Sequence, residues 1–146
     1  MNLTFQQAEI KDADPIFRLA QQLVREFEDA ETVDLGEVEA WMQRKITLKI
    51  QSYQRIVLSG TVVGYFRMED QNDRTELDDF YILPEYRSQG IGTQVLLRCM
   101  EQAKNPIYFY VFNENQDAIR FYQRCGFQIV SSVSATRSIM SEKVDS

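Results

Sequence analysis

The spacing of apolar residues changes period several times along the chain. "LTFQQAE" alternates and predicts a first strand. Ile16, Leu19, Ala20, Leu23, Val24 and Phe27 then recur at three- and four-residue intervals, the signature of an amphipathic helix. The preceding "DADP" puts Asp14 at the N-cap of that helix and Pro15 at its first helical position. A second helix starts at Asp34, where Asp34 and Glu37 resemble a capping box, and its stripe is Val38, Trp41, Met42 and Ile46. From Arg55 the period shortens to two, and "RIVLSGTVVGYFRME" reads as two strands joined at Ser59-Gly60. "TELDDFYIL" is a further strand, ended by Pro84. Gly90 to about Ala103 reads as a helix with Ile91, Val95, Leu96 and Cys99 on one side. "PIYFYVF" is a strand rich in aromatic and β-branched residues. "NQDAIRFYQRC" is a helix capped by Asn115 and ended near Gly126, and "FQIVSSVSATRSIM" supplies one long or two short final strands.

The predicted order is β-α-α-β-β-β-α-β-α-β-β, a mixed α/β pattern without the strict alternation of a doubly wound parallel sheet. At 146 residues and 44% apolar, residues 1–146 read as one globular domain. No run approaches the roughly 18–20 apolar residues of a membrane span, and "MNLTFQQAEIKD" lacks the basic and apolar regions of a signal peptide. The expected location is the cytoplasm, with no membrane partner. A net charge of −6 argues against a nucleic-acid partner. It fits a cationic partner or ordinary solubility equally well. The acidic run "REFEDAETVDLGEVE" is accordingly either a solvated face or a rim that attracts a cation. With no histidine, Ser-His-Asp and Cys-His catalysis within one chain are excluded, as is any imidazole zinc site. Cys99 and Cys125 are not spaced as a metal motif and read as reduced and buried; no metal is expected.

"RSQGIG", Arg87 to Gly92, lies between a strand end and a helix start. Such a turn presents backbone N–H groups at a helix N-terminus, where the dipole favours an anion. Gly90 and Gly92 lack Cβ and let phosphate oxygens approach the chain. Arg87 adds forked donors that suit a pyrophosphate. A P-loop is excluded because Thr93 and Gln94, not Lys-Ser/Thr, follow Gly92. A dinucleotide fingerprint is excluded by Val95 in place of the third glycine and by the late position of the loop. Read alone, the pair of glycines is either an anion cradle or a tight turn.

Two blocks together resemble the GNAT superfamily of acetyl-coenzyme A-dependent N-acetyltransferases. Its phosphate loop, Arg/Gln-x-x-Gly-x-Gly/Ala after a Val/Ile-x-Pro strand end, is matched by Arg87, Gly90 and Gly92 after Ile82 and Pro84. Its second block, Asn-x-x-Ala-x-x-apolar-Tyr and then Gly-Phe, is matched by Asn115, Ala118, Phe121, Tyr122, Gly126 and Phe127. The resemblance is direct from about Glu76 to Phe127. Ser88 departs from it, since many members have glycine there. Locally, "ELDDFYILPEYRSQGIG" looks most like polyamine and other small-amine acetyltransferases.

The resemblance implies a central twisted mixed sheet flanked by helices, with acetyl-coenzyme A as co-substrate and an amine as acceptor. It implies that the strands around the loop splay, and that main chain near Phe80, Tyr81 and Ile82 holds the pantetheine arm. The amides of Arg87, Ser88, Gln89, Gly90, Ile91, Gly92 and Thr93 then hold the pyrophosphate. Tyr122 lies near the sulfur as proton donor, and Asn115 bonds the coenzyme, caps its helix, or does both. An acceptor ammonium has a pKa near 10.4, so something must take its proton, and a carboxylate can do so directly or through a water. Asp78 stands first as base and Glu76 second; both share a face of an extended strand, with Asp79 on the other, unless a bulge of the kind members often have here changes that assignment. The alternative is that these acids only bind a cationic acceptor. A small cationic amine leads, a peptide or protein N-terminus or a lysine stays open, and so does a non-catalytic acyl-coenzyme A-binding module. Members are often dimeric, so a homodimer belongs to the same expectation.

Overall fold

The computed structural model describes residues 2–142. Its elements are β1 Leu3–Gln7, α1 Ala13–Phe27, α2 Leu35–Leu48, β2 Tyr53–Leu58, β3 Thr61–Asp70, β4 Thr75–Ile82, α3 Ile91–Gln102, β5 Ile107–Phe112, α4 Gln116–Arg124, β6 Phe127–Ser132 and β7 Arg137–Glu142. The order agrees with the sequence pattern, and the final segment forms two strands. All seven strands make one sheet in the order β1-β2-β3-β4-β5-β7-β6. Every neighbouring pair is antiparallel except β4 and β5.

Local chemistry explains most boundaries. Ser59 and Gly60 take φ of 49° and 85°, the left-handed pair that lets a two-residue turn close β2 onto β3. Asp34 caps α2, its side chain accepting from the Glu37 amide at 3.2 Å. Asn115 does the same for α4 through the Ala118 amide at 3.3 Å. The start of α1 differs from expectation. A single 3-10 turn over Ile10–Asp12 precedes the helix, so Asp14 and Pro15 lie inside its first turn. Asp12 takes the N-cap position without a side-chain bond to the helix, because its carboxylate is engaged elsewhere. Its Oδ2 accepts from the Glu9 amide and from Arg55 Nε, both at 2.8 Å.

The helices divide between the two faces of the sheet. Ile91, Val95, Leu96 and Cys99 of α3 and Ile119 of α4 join Leu77, Ile107, Phe109 and Phe127 in one core. On the other face, Ile16 of α1 and Ile46 of α2 pack with Tyr53 and Tyr65. Ala20, Val24 and Met42 pack there with Phe112. Each large apolar side chain so buried contributes roughly 1.5–3 kcal/mol against staying in water. Trp41, expected in the α2 stripe, is instead 56% exposed. Cys99 is fully buried and its thiol is pushed up to about 12 by burial, while Cys125 is half-buried; both are free thiols.

Candidate active site

The site begins where the sheet comes apart. β4 and β5 pair only at Thr75–Ile107 and Glu76–Tyr108. From Leu77 onward the β4 edge facing β5 has no ladder partner, so its backbone polar groups are free. On its other edge β4 stays tied to β3, which presses close enough that a Cβ on Gly64 would sit 2.2 Å from the Tyr81 carbonyl oxygen. A cavity of about 820 Å³ opens at the split. It is lined from the α2 side by Trp41 and Lys45, from β4 by Glu76 to Tyr81, and from α4 by Asn115 and Tyr122. Ligand cavities commonly fall in this size range.

The acids of β4 do not alternate as a regular strand would. The β3–β4 register pairs Tyr65 with Tyr81 but Arg67 with Asp78, leaving Asp79 and Phe80 opposite Phe66 alone. This is a bulge, with Asp79 at φ 48°. It turns Asp79 onto the face of Asp78, so the bulged alternative and not the regular strand is the one realised. Lys45 Nζ donates to Asp78 Oδ2 at 2.8 Å and to Asp79 Oδ2 at 3.0 Å. Arg67 Nη2 donates to Asp78 Oδ2 at 3.1 Å. The Tyr53 and Tyr81 hydroxyls donate to Asp79 at 2.6 and 2.7 Å. Burial alone would raise Asp78, but the Lys45 ammonium and the Arg67 guanidinium outweigh it and hold the carboxyl below its ordinary value. Burial lowers Lys45 in turn, and the two aspartates more than reverse that.

Glu76 is in a different condition. Burial pushes its carboxyl above the ordinary range, and the Asp78 charge adds to the push against Arg67 at 3.8 Å. Gln71 Nε2 donates to Glu76 Oε1 at 3.3 Å and is itself held by the Tyr108 hydroxyl at 2.7 Å. The Tyr122 ring packs on Phe109, with centroids 4.1 Å apart, and on Phe121. Burial raises its phenol well above the ordinary value, so it carries its proton at neutral pH.

Lys45, Arg67 and Tyr53 were missed by sequence reasoning. Two of them left a signal. Lys45 lies four residues after Trp41 and three after Met42, within the α2 stripe. Arg67 follows Tyr65 by two residues in a strand and is only 3% exposed. Tyr110 is 43% exposed beside the cavity. Of the acidic run from Arg25 to Glu39, none lines the cavity.

The loop after β4 has the opposite character. A 3-10 turn over Pro84–Tyr86 leads into Arg87, Ser88 at φ 63° and Gly90 at φ 81°, the N-cap of α3. No side chain caps that end. Among the described residues, the amides of Ser88, Gln89, Gly90, Ile91, Gly92 and Thr93 have no protein acceptor. Such a row of free donors at a helix start fits an anion, and so fits the pyrophosphate of coenzyme A. Arg87 is exposed and its Nε donates to the Ile82 carbonyl at 2.9 Å, leaving the rest of its fork free. Gly92 also has a part in packing. A Cβ there would meet the Phe121 ring at 3.3 Å, so its smallness lets α3 pack against α4. Phe80 and Ile82 pack on the α3–α4 core, and Tyr81 on the α1–α2 side.

Residues 16–127 match the sequence profile of the Acetyltransferase (GNAT) family. The spermine/spermidine N(1)-acetyltransferase of Bacillus subtilis is 35% identical over 65 residues, 41% of this chain and 43% of that protein. An uncharacterized N-acetyltransferase of Methanocaldococcus jannaschii is 32% identical over 63 residues, 40% of this chain and 28% of that protein. The chain thus matches less than half the length of either relative. Among solved structures, the paia N-acetyltransferase of Thermoplasma acidophilum in complex with coenzyme A has the same fold. Its TM-score is 0.72 at 20% identity, covering 99% of this chain and 100% of that one.

Proposed function

The chain belongs to the Acetyltransferase (GNAT) family, and from that premise we propose that it transfers the acetyl group of acetyl-coenzyme A directly to a primary amine. The observation that carries the reading is the split between β4 and β5, which opens one cavity to both Glu76 and Tyr122. In this proposal the free β4 edge at Phe80, Tyr81 and Ile82 receives the pantetheine arm. The amides from Ser88 to Thr93, with the Arg87 guanidinium, receive the pyrophosphate. Asn115 lines the cavity while capping α4. Acetyl-coenzyme A supplies a thioester whose carbonyl carbon gains a bond to the amine nitrogen as its C–S bond breaks.

Two side chains then move protons. Glu76 takes the proton that the ammonium must lose, directly or through one water. Its raised pKa suits that task, since a base works best when its pKa approaches the operating pH. Asp78 is favoured less, because Lys45 and Arg67 occupy its carboxylate and hold it weakly basic. Tyr122 gives its proton to the departing sulfur. The two free thiols favour direct transfer over an acyl-enzyme: Cys99 is buried, and burial holds both in the protonated form.

For the acceptor, a small amine is supported by the size of the cavity and by the relative named for spermine and spermidine. The acidity of β4 no longer supports a polycation, because Asp78 and Asp79 are already neutralised from within. Thiol release from acetyl-coenzyme A, measured over a panel of amines and peptides, tests the reading. Amine-dependent release is the expected result, with Tyr122→Phe lowering kcat by about 10²-fold while coenzyme affinity holds. Tight coenzyme binding without turnover on any acceptor would overturn transfer in favour of a binding module.

A further inference from the structure

The charge of the cavity runs against that of the chain. The chain carries −6 overall, yet the cations along the cavity are Arg44, Lys45, Lys49, Arg67 and Arg137. The acids there are Glu69, Glu76, Asp78 and Asp79. Each of these acids already has a cation within 4.0 Å. Lys45 meets Asp78 and Asp79, Arg67 meets Glu69, Glu76 and Asp78, and Lys49 meets Glu69. Arg44 and Arg137 have no carboxylate in that range among the described residues.

Arg137 is the more informative of the two. It opens β7 opposite Phe112 of β5 and lines the cavity. Its Nε is buried without any hydrogen-bond acceptor. Its guanidinium stands 5.6 Å from the centroid of the Tyr110 ring, which stabilises the cation but supplies no acceptor in the guanidinium plane. The guanidinium thus borders the cavity with no carboxylate to answer its charge, and an anion entering the cavity would supply one. Coenzyme phosphates are poor candidates for that anion, since none of the residues from Arg87 to Thr93 lines this cavity.

Resting on the acetyl-transfer reading, we propose that the acceptor carries a carboxylate besides its amine, held by Arg137 with Arg44 of α2, while the amine points to Glu76. The guanidinium fork matches a carboxylate edge to edge. A polyamine would bring a second ammonium to a cavity whose lining cations already outnumber its acids, five to four.

Matched acceptors that differ only by a carboxylate test this: lysine against cadaverine, and ornithine against putrescine, with thiol release as the readout. The carboxylate-bearing member of each pair is expected to have a kcat/KM about tenfold higher, mostly through KM. Arg137→Gln is expected to bring the two members within about threefold of each other, and Arg137→Lys to keep part of the preference. A preference of the unaltered protein for cadaverine and putrescine overturns the proposal and leaves acetyl transfer standing. So does an Arg137→Gln protein whose two rates fall in proportion, since that is the mark of a structural role. If Arg137→Gln does not fold, Arg44→Gln at an exposed position reads the same ratio. Coenzyme binding with no release on any amine overturns acetyl transfer itself, and this inference with it.

Discussion

The bulge of β4 and the loop that follows the same strand treat their polar groups in opposite ways. At the bulge, Asp78 and Asp79 have every nearby donor turned toward them: Lys45, Arg67, Tyr53 and Tyr81. In the loop, the amides from Ser88 to Thr93 have no protein acceptor. Both regions are polar, and sequence alone makes the acids the more conspicuous. The difference teaches that satisfied groups hold the fold while unsatisfied ones wait for a ligand. It also separates Glu76 from its neighbour two residues on, because Glu76 is half-buried with a neutral amide donor at 3.3 Å and a guanidinium no closer than 3.8 Å.

The strongest attack on this contrast is at the loop. Gly90→Val places a branched side chain at a left-handed N-cap and in the path of the phosphate. Coenzyme A binding by calorimetry is expected to disappear; normal affinity would remove the loop from the site. Glu76→Gln is next. It is expected to lower kcat by about 10³-fold. In the unaltered protein, kcat/KM falls as pH drops through the Glu76 pKa, above the ordinary carboxylate range, because protonation removes the base. That limb is expected to vanish in Glu76→Gln, and its survival would return the role to another group.

Asp78→Asn sharpens the comparison from the structural side. The carboxylate is only 21% exposed and anchors two cations, so its loss should cost about 2–3 kcal/mol in chemical denaturation. The folded pKa of Asp78 is depressed, so its contribution is present above the ordinary carboxylate value and lost as pH falls through the folded one. The stability gap between the two proteins should therefore close in strong acid. A loss of kcat far exceeding the loss of stability would make Asp78 the base and reverse the contrast. Ser88→Gly is the mildest test. Ser88 takes φ 63°, where glycine is less strained, so the change is expected to alter stability by about 1 kcal/mol or less. Coenzyme affinity should hold, since the backbone and not the side chain meets the phosphate.

Much of the fold was legible because its cues are local. The Ser59-Gly60 turn, the Asp34 and Asn115 caps and the switch between periods of two and 3.6 each act within a few residues. The start of α1 was misread where a distant residue intervened, since Arg55 holds Asp12 across 43 positions. Trp41 was misread because a helical stripe records apolar character and not what lies beside it. For the candidate site, the loop and Tyr122 were put forward through short motifs. The state of the β4 acids was not, because Lys45 reaches them over 33 and 34 residues.

By itself, the sequence determined the order of the elements, the loop at the start of α3 and the candidate acids and tyrosine, since these follow from local propensity and short spacing. Only the tertiary structure decided which acid stays uncommitted and what charge the cavity presents. One bulge turned Asp79 beside Asp78, and packing brought Lys45 and Arg67 to neutralise that pair. It left Arg137 without a partner. Electrostatic interactions depend on distance in space and on burial, and neither can be read from separation along the chain.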